Sequence, residues 1–136
     1  MTLRRGFVIA ATFSLAAITL TCKDSPSEGS VAAAGWLAVE MTTPNADDAG
    51  IMFIVNGGVV DSARSTYPNV LSRSESATSM RVVVGGNLVA GKIAEIWVPD
   101  TRKVAQYSAT PVEAAASGTF AQRPITGYTL KLSRVP

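Results

Sequence analysis

The chain has no histidine and only one cysteine, Cys22, among 136 residues. Without histidine, Ser-His-Asp and Cys-His catalysis are excluded, and so are histidine metal sites. One cysteine cannot close a disulfide within the chain. Charged residues reach only 16%. The formal charge of +2 disappears when Arg4 and Arg5 are set aside, leaving ten bases against ten acids. Nothing in that balance calls for nucleic acid or an acidic lipid surface as a partner. No apolar run reaches the roughly 20 residues of a spanning helix. After residue 34 no window keeps an amphipathic helical pattern for three turns.

What is present begins with a leader. Residues 1–22 read MTLRRGFVIAATFSLAAITLTC, two arginines and then an apolar run from Phe7 to Leu20. That length fits a signal-peptide core. An uncleaved anchor is one rival. An ordinary secretory leader cut at Ala32-x-Ala34 is another, but that site lies far past the apolar run. Cys22 closes the run and is followed by polar KDSPSEGS. The arrangement resembles the lipobox of bacterial lipoproteins, with Thr19, Leu20 and Thr21 where that family usually has leucine first and glycine or alanine last. The resemblance implies that residues 1–21 are a signal peptide and that Cys22 becomes the acylated first residue of an exported, membrane-tethered chain. At about 0.8 kcal/mol per buried CH₂, more than one acyl chain makes a stable anchor. Residues 22–34 then read as a linker, too rich in Ser, Gly, Lys and Glu to order themselves.

From Gly35 to Pro136, short apolar stretches alternate with turn chemistry. GWLAVEM (35–41) puts Leu37, Val39 and Met41 on one face and Trp36, Ala38 and Glu40 on the other. IMFIV (51–55) is apolar on both faces, as a central strand is. NGG (56–58) signals a tight hairpin into VVDSARS. MRVVV (80–84), KIAEIWV (92–98) and VAQYSAT (104–110) are further strands. YTLKLSR (128–134) turns Tyr128, Leu130 and Leu132 inward. VEAAAS (112–117) is the one candidate helical turn. Seven or eight strands with Gly or Pro at most junctions predict an all-β antiparallel sandwich over 35–136, with a small barrel as the alternative. The cadence of GNLVAGKIAEIWVPD is similar to the cohesin-like and immunoglobulin-like sandwiches of bacterial surface proteins. The likeness covers some fifteen residues, without a diagnostic motif, and implies a sandwich of that kind.

The stretch RVVVGGNLVAGKI (81–93) contains G-x-x-x-x-G-K, most of a P-loop. A P-loop needs a helix after the glycines and a Ser or Thr after the lysine. Here Ile93 follows Lys92, and a strand-forming run ends at Pro99. The reading is a strand–loop–strand unit with Lys92 a solvated charge, so neither nucleotide nor any other cofactor is expected. Glu40 and Glu95 are the carboxylates that a glycosidase could pair across a cleft. Asn45, Asp47 and Asp48 could offer oxygens to Ca²⁺, although turn capping explains them more simply and the full calcium loop is absent. Hence no metal site and no catalytic residues are expected. Trp36 shares a face with Glu40, and Trp97 with Glu95. Outward rings would make Trp36 and Trp97 candidate ligand-binding residues for a protein or carbohydrate partner. A bulge that breaks the parity would make both core, and that is the simpler expectation. The sequence reading is therefore a non-catalytic binding or structural module of the bacterial cell envelope. The alternative is a carbohydrate-active or sugar-binding protein.

Overall fold

The computed structural model describes residues 31–136; the leader, Cys22 and most of the linker lie outside them. The strands are β1 (Gly35–Thr42), β2 (Asp48–Asn56), β3 (Ser62–Arg64), β4 (Asn69–Ser76), β5 (Ser79–Leu88), β6 (Gly91–Val98), β7 (Ser108–Ala116), β8 (Gln122–Arg123) and β9 (Thr129–Arg134). Among the described residues one short 3₁₀ helix spans Thr101–Gln106. All pairings are antiparallel, in a four-stranded sheet of order β3-β6-β1-β9 and a five-stranded sheet of order β4-β5-β2-β7-β8. The fold is the β-sandwich that the turn spacing predicts.

The core is the filling between the two sheets. Leu37, Val39 and Met41 of β1 meet Ile51, Phe53 and Val55 of β2, with Val82 and Val84 of β5 and Ile96 and Val98 of β6 beside them. Strand periodicity of two makes this possible, because each strand gives one face to the interior. IMFIV is central, flanked by β5 and β7, and Phe53 is fully buried. Tyr128 is buried, and Leu130 and Leu132 pack against the core from the edge strand β9.

Three local readings need correction. NGG does not make a hairpin: β2 and β3 belong to different sheets, so the turn crosses the sandwich. Gly57 has φ of +112°, and a Cβ there would lie 2.0 Å from the Gln106 carbonyl oxygen, so only glycine fits this crossing. Residues 104–106 are not strand. Asp100 caps the 3₁₀ helix by accepting the Arg102 N–H, and Tyr107 N–H closes it on the Val104 carbonyl. VEAAAS is not helical: its residues 112–116 form the second half of β7, where pairing with β2 outweighs the helix preference of alanine, and Ser117 begins the turn after it. Strand β4, NVLSRSES, carries too little apolar alternation to be seen in the sequence. It is an edge strand whose residues, Val70 apart, are exposed. Polar and charged residues on an edge also discourage unwanted pairing.

The sandwich has two ends. β1 starts, and β9 finishes, at the end that carries the 3₁₀ helix. Here Ala33 is already docked: its N–H donates to Asp100 Oδ1 at 3.3 Å, and its carbonyl accepts from Thr101 N at 2.8 Å. The far end carries the loops that contain Val89, Phe120 and Ile125, all exposed.

Candidate functional site

On β1, inward Leu37 and Val39 leave Trp36 and Ala38 facing out of the four-stranded sheet. The register pairs Trp36 with Trp97 and Ala38 with Glu95 across to β6. The parity is kept at both tryptophans; the register shift falls later, between Val39 and Glu40. The expectation that both rings are core is therefore overturned: they lie on the outer sheet face, half-buried. The rings meet edge to face, with centroids 5.2 Å apart and planes at 73°. This is the arrangement that the aromatic quadrupole favours.

Strand β3 supplies the third partner. Arg64 pairs with Glu95 in register and lies over Trp36, its guanidinium carbon 3.9 Å from the ring centroid. The same guanidinium binds Glu95 Oε2 at 2.5 and 2.6 Å. Lys92 reaches the other oxygen of Glu95 at 2.9 Å. Glu95 is only 8% exposed, below the two cations. Lys92 holds its carboxyl below the ordinary value, with Arg64 adding to the effect against the opposing pull of burial. Lys92 is exposed, as the sequence suggested, but it is also half of a clamp on a buried carboxylate. Beside the clamp lies a pocket of about 230 Å³, lined by Arg64, Ser65, Thr66 and Lys92 among others.

This geometry bears on the P-loop and glycosidase readings. Gly91 begins a strand, and the segment Gly86–Lys92 carries the chain from one sheet to the other. The backbone there offers no helix N-terminus to a phosphate. Glu40 and Glu95 lie on adjacent strands of one open sheet face, not on opposite walls of a cleft. Glu40 is exposed, and Glu95 is tied to two cations. A carboxyl whose charged form is stabilised in this way is a poor proton donor near neutral pH.

The candidate calcium residues serve another purpose. Asp48 is fully buried at the start of β2. Its Oδ1 accepts from the Tyr128 hydroxyl at 2.6 Å and from Arg123 at 2.8 Å; its Oδ2 accepts from Thr43 at 2.6 Å. Asp47 binds the other arm of Arg123 at 2.7 Å, and Asn45 donates to the Tyr128 oxygen at 2.8 Å. The carboxylates, Asp47 foremost, raise Arg123 above its ordinary value. The cluster is a polar pin between the two sheets, with the Asp48 oxygens already partnered. Among the described residues no three His, Cys, Asp or Glu side chains are grouped to hold a metal.

Sequence reasoning found Trp36, Trp97 and Glu95 but not Arg64 or Lys92 as their partners. Arg64 and Glu95 are 31 residues apart, and only the β3–β6 register brings them together. Arg123 and Tyr128 were missed as partners of Asp48 for the same reason. Cys22 lies outside the described residues. Comparison of the chain with known protein families, with curated proteins and with solved structures finds no match.

Proposed function

We propose that this is an exported bacterial envelope protein, anchored by acyl chains on Cys22, whose single sandwich is a non-catalytic binding module. The observation that carries the binding reading is the Trp36–Trp97 pair, half-buried on an outer sheet face, with the rings edge to face and Arg64 over one of them. Burying these rings would be the default for a stable core. Leaving them outside, braced by Arg64, supplies a pre-ordered aromatic and cationic surface. Tryptophan and arginine are the residues most enriched at protein-binding hot spots.

A protein partner suits this surface better than a sugar. A sugar ring stacks on an open aromatic face, but the two rings stand edge to face and Arg64 covers one side of Trp36. The non-catalytic reading rests on Glu95, which is neutralised by Lys92 and Arg64 instead of being poised for proton transfer.

Two experiments test the proposal separately. Intact-mass analysis of membrane-extracted protein should show a chain starting at Cys22 with added acyl mass, and Cys22→Ser should abolish it. A soluble mature chain starting after Ala34 would refute the anchor. For the surface, a photo-crosslinking residue at position 97 in cells should give discrete protein adducts that Arg64→Ala and Trp36→Ala weaken. Saturable quenching of tryptophan by an envelope polysaccharide, with no protein adduct, would instead support the sugar-binding alternative.

A further inference from the structure

The other outer face, that of the five-stranded sheet, is unlike the tryptophan face. Register places Leu71, Val83, Met52 and Glu113 in one row across β4, β5, β2 and β7. The next row toward the docked Ala33 end is Arg73, Arg81, Ile54 and Thr110. Leu71 is 72% exposed and Val83 36%. On the opposite side of the first row, Gly85, Gly50 and Ala115 make a floor without bulk. With Phe120 this floor bounds a groove of about 510 Å³. Phe120 has φ of +54° and is 74% exposed. A phenylalanine in the left-handed region, with most of its surface in water, carries two costs. Together these residues form a contiguous apolar stripe of the kind that marks an interaction surface.

The charges on this face choose the occupant. Arg81 is neutralised within the chain by Glu75 at 2.7 Å. That leaves Arg73 on β4 and Glu113 on β7, of opposite sign and on opposite sides of the apolar stripe. Neither has an ionic partner among the described residues. Such a face is complementary to itself. We infer that it is the interface of a homodimer, in which two five-stranded sheets pack face to face about a twofold axis running roughly along the strands. The axis exchanges the β4 and β7 sides. It sets Val83 against the partner's Met52, and Arg73 within one row of the partner's Glu113 in both directions, as an isologous contact requires. Aligned packing of two sheets is a stable way to bury such faces.

The arrangement extends the proposed function and does not depend on it. A twofold along the strands leaves both Ala33 ends on the same side, as two tethers in one membrane need. It also turns both tryptophan faces outward, giving a bivalent module whose avidity exceeds that of either face alone.

The test is sedimentation of the full-length chain in density-matched detergent across a range of concentrations. The expected result is a dimer that Arg73→Glu or Glu113→Arg each weakens about tenfold or more by setting like charges together. The double variant Arg73→Glu/Glu113→Arg should restore it. Both positions are exposed, so at concentrations low enough for the parent to be monomeric the variants should keep its melting temperature. A monomer at every concentration would overturn the inference. So would a dimer indifferent to the single reversals, or an adduct of this face, trapped by a photo-crosslinker at Val83, with another protein and none with itself. Loss of the dimer with intact capture at position 97 would refute the dimer alone; the reverse would refute only the partner surface.

Discussion

Asp48 accepts a 2.6 Å hydrogen bond from the hydroxyl of Tyr128, 80 residues away in the chain and directly before strand β9 of the opposite sheet. Both residues are buried, Asp48 completely. The bond closes the far end of the sandwich, where the apolar filling alone would leave a carboxylate without solvent. Removing only the hydroxyl, in Tyr128→Phe, should cost about 1–3 kcal/mol, since Arg123 and Thr43 still serve the carboxylate. Asp48→Ala should cost more, about 3–5 kcal/mol, because it strips a buried charge pair of one partner. Urea unfolding of the two variants checks the order; equal losses would show that the pin is not the unit described.

Phe53 is the test of the core. It is fully buried in the central strand, and Phe53→Ala should destabilise the fold by about 3–5 kcal/mol. The unfolding midpoint in urea should fall with little change in slope. A neutral result would refute the central position of β2.

Acid should loosen the molecule in a predictable window. Arg102, chiefly, and the Ala33 and Arg102 N–H groups hold the Asp100 carboxyl well below its ordinary 3.8. Lys92 and, against burial, Arg64 hold Glu95 below 4.5. Both groups are depressed in the fold, so their contribution is complete above those ordinary values. It is lost as pH falls below them toward the folded values. The melting temperature should decline on acidification beneath about pH 4.5, and Asp100→Asn should flatten part of that decline. An Asp100→Asn profile that parallels the parent would remove Asp100 from the account.

The clamp on Glu95 should behave as a unit. Lys92→Ala alone should cost no more than about 1 kcal/mol, because Arg64 remains and the pair is half in water. Arg64→Ala should also uncover one face of Trp36. Its fluorescence should shift to the red and become easier to quench. Losing both cations should cost more than the sum of the single losses, since Glu95 is then buried without a partner. Strict additivity in a double-mutant cycle would argue against the shared clamp.

Gly57 and Gly91 separate two reasons for glycine. Both have positive φ, +112° and +123°. A side chain at Gly57 meets the Gln106 carbonyl, whereas nothing lies within 4 Å of a Cβ at Gly91. Gly57→Ala should therefore be far more damaging than Gly91→Ala, which carries backbone strain only, of about 1 kcal/mol. Thermal melts of the two variants decide it.

Local pattern was enough to determine the class of fold. Alternation in 35–41 and 128–134, and the doubly apolar IMFIV, pointed to strands that bury one face each, in a sandwich or a small barrel, and pairing into two separate sheets decided for the sandwich. The missing helix after Gly91 was legible too, since Ile, Trp and Pro99 oppose one. Turn residues mark where a strand ends but not which sheet receives the next strand. For that reason NGG at 56–58 read as a hairpin although it crosses the sandwich. Strand β4 was invisible because an edge strand needs no apolar rhythm. The sites were hidden for a related reason. Trp36 and Trp97 carry the same alternation whether or not a bulge intervenes, and only the register of β1 on β6 left their rings outside. Arg64 over Trp36, Arg123 on Asp48, and the opposed Arg73 and Glu113 are meetings between residues far apart in the chain. Periodicity acts over a few residues and fixes the face of a strand; long-range pairing fixes its neighbours, and the chemistry here belongs to the neighbours.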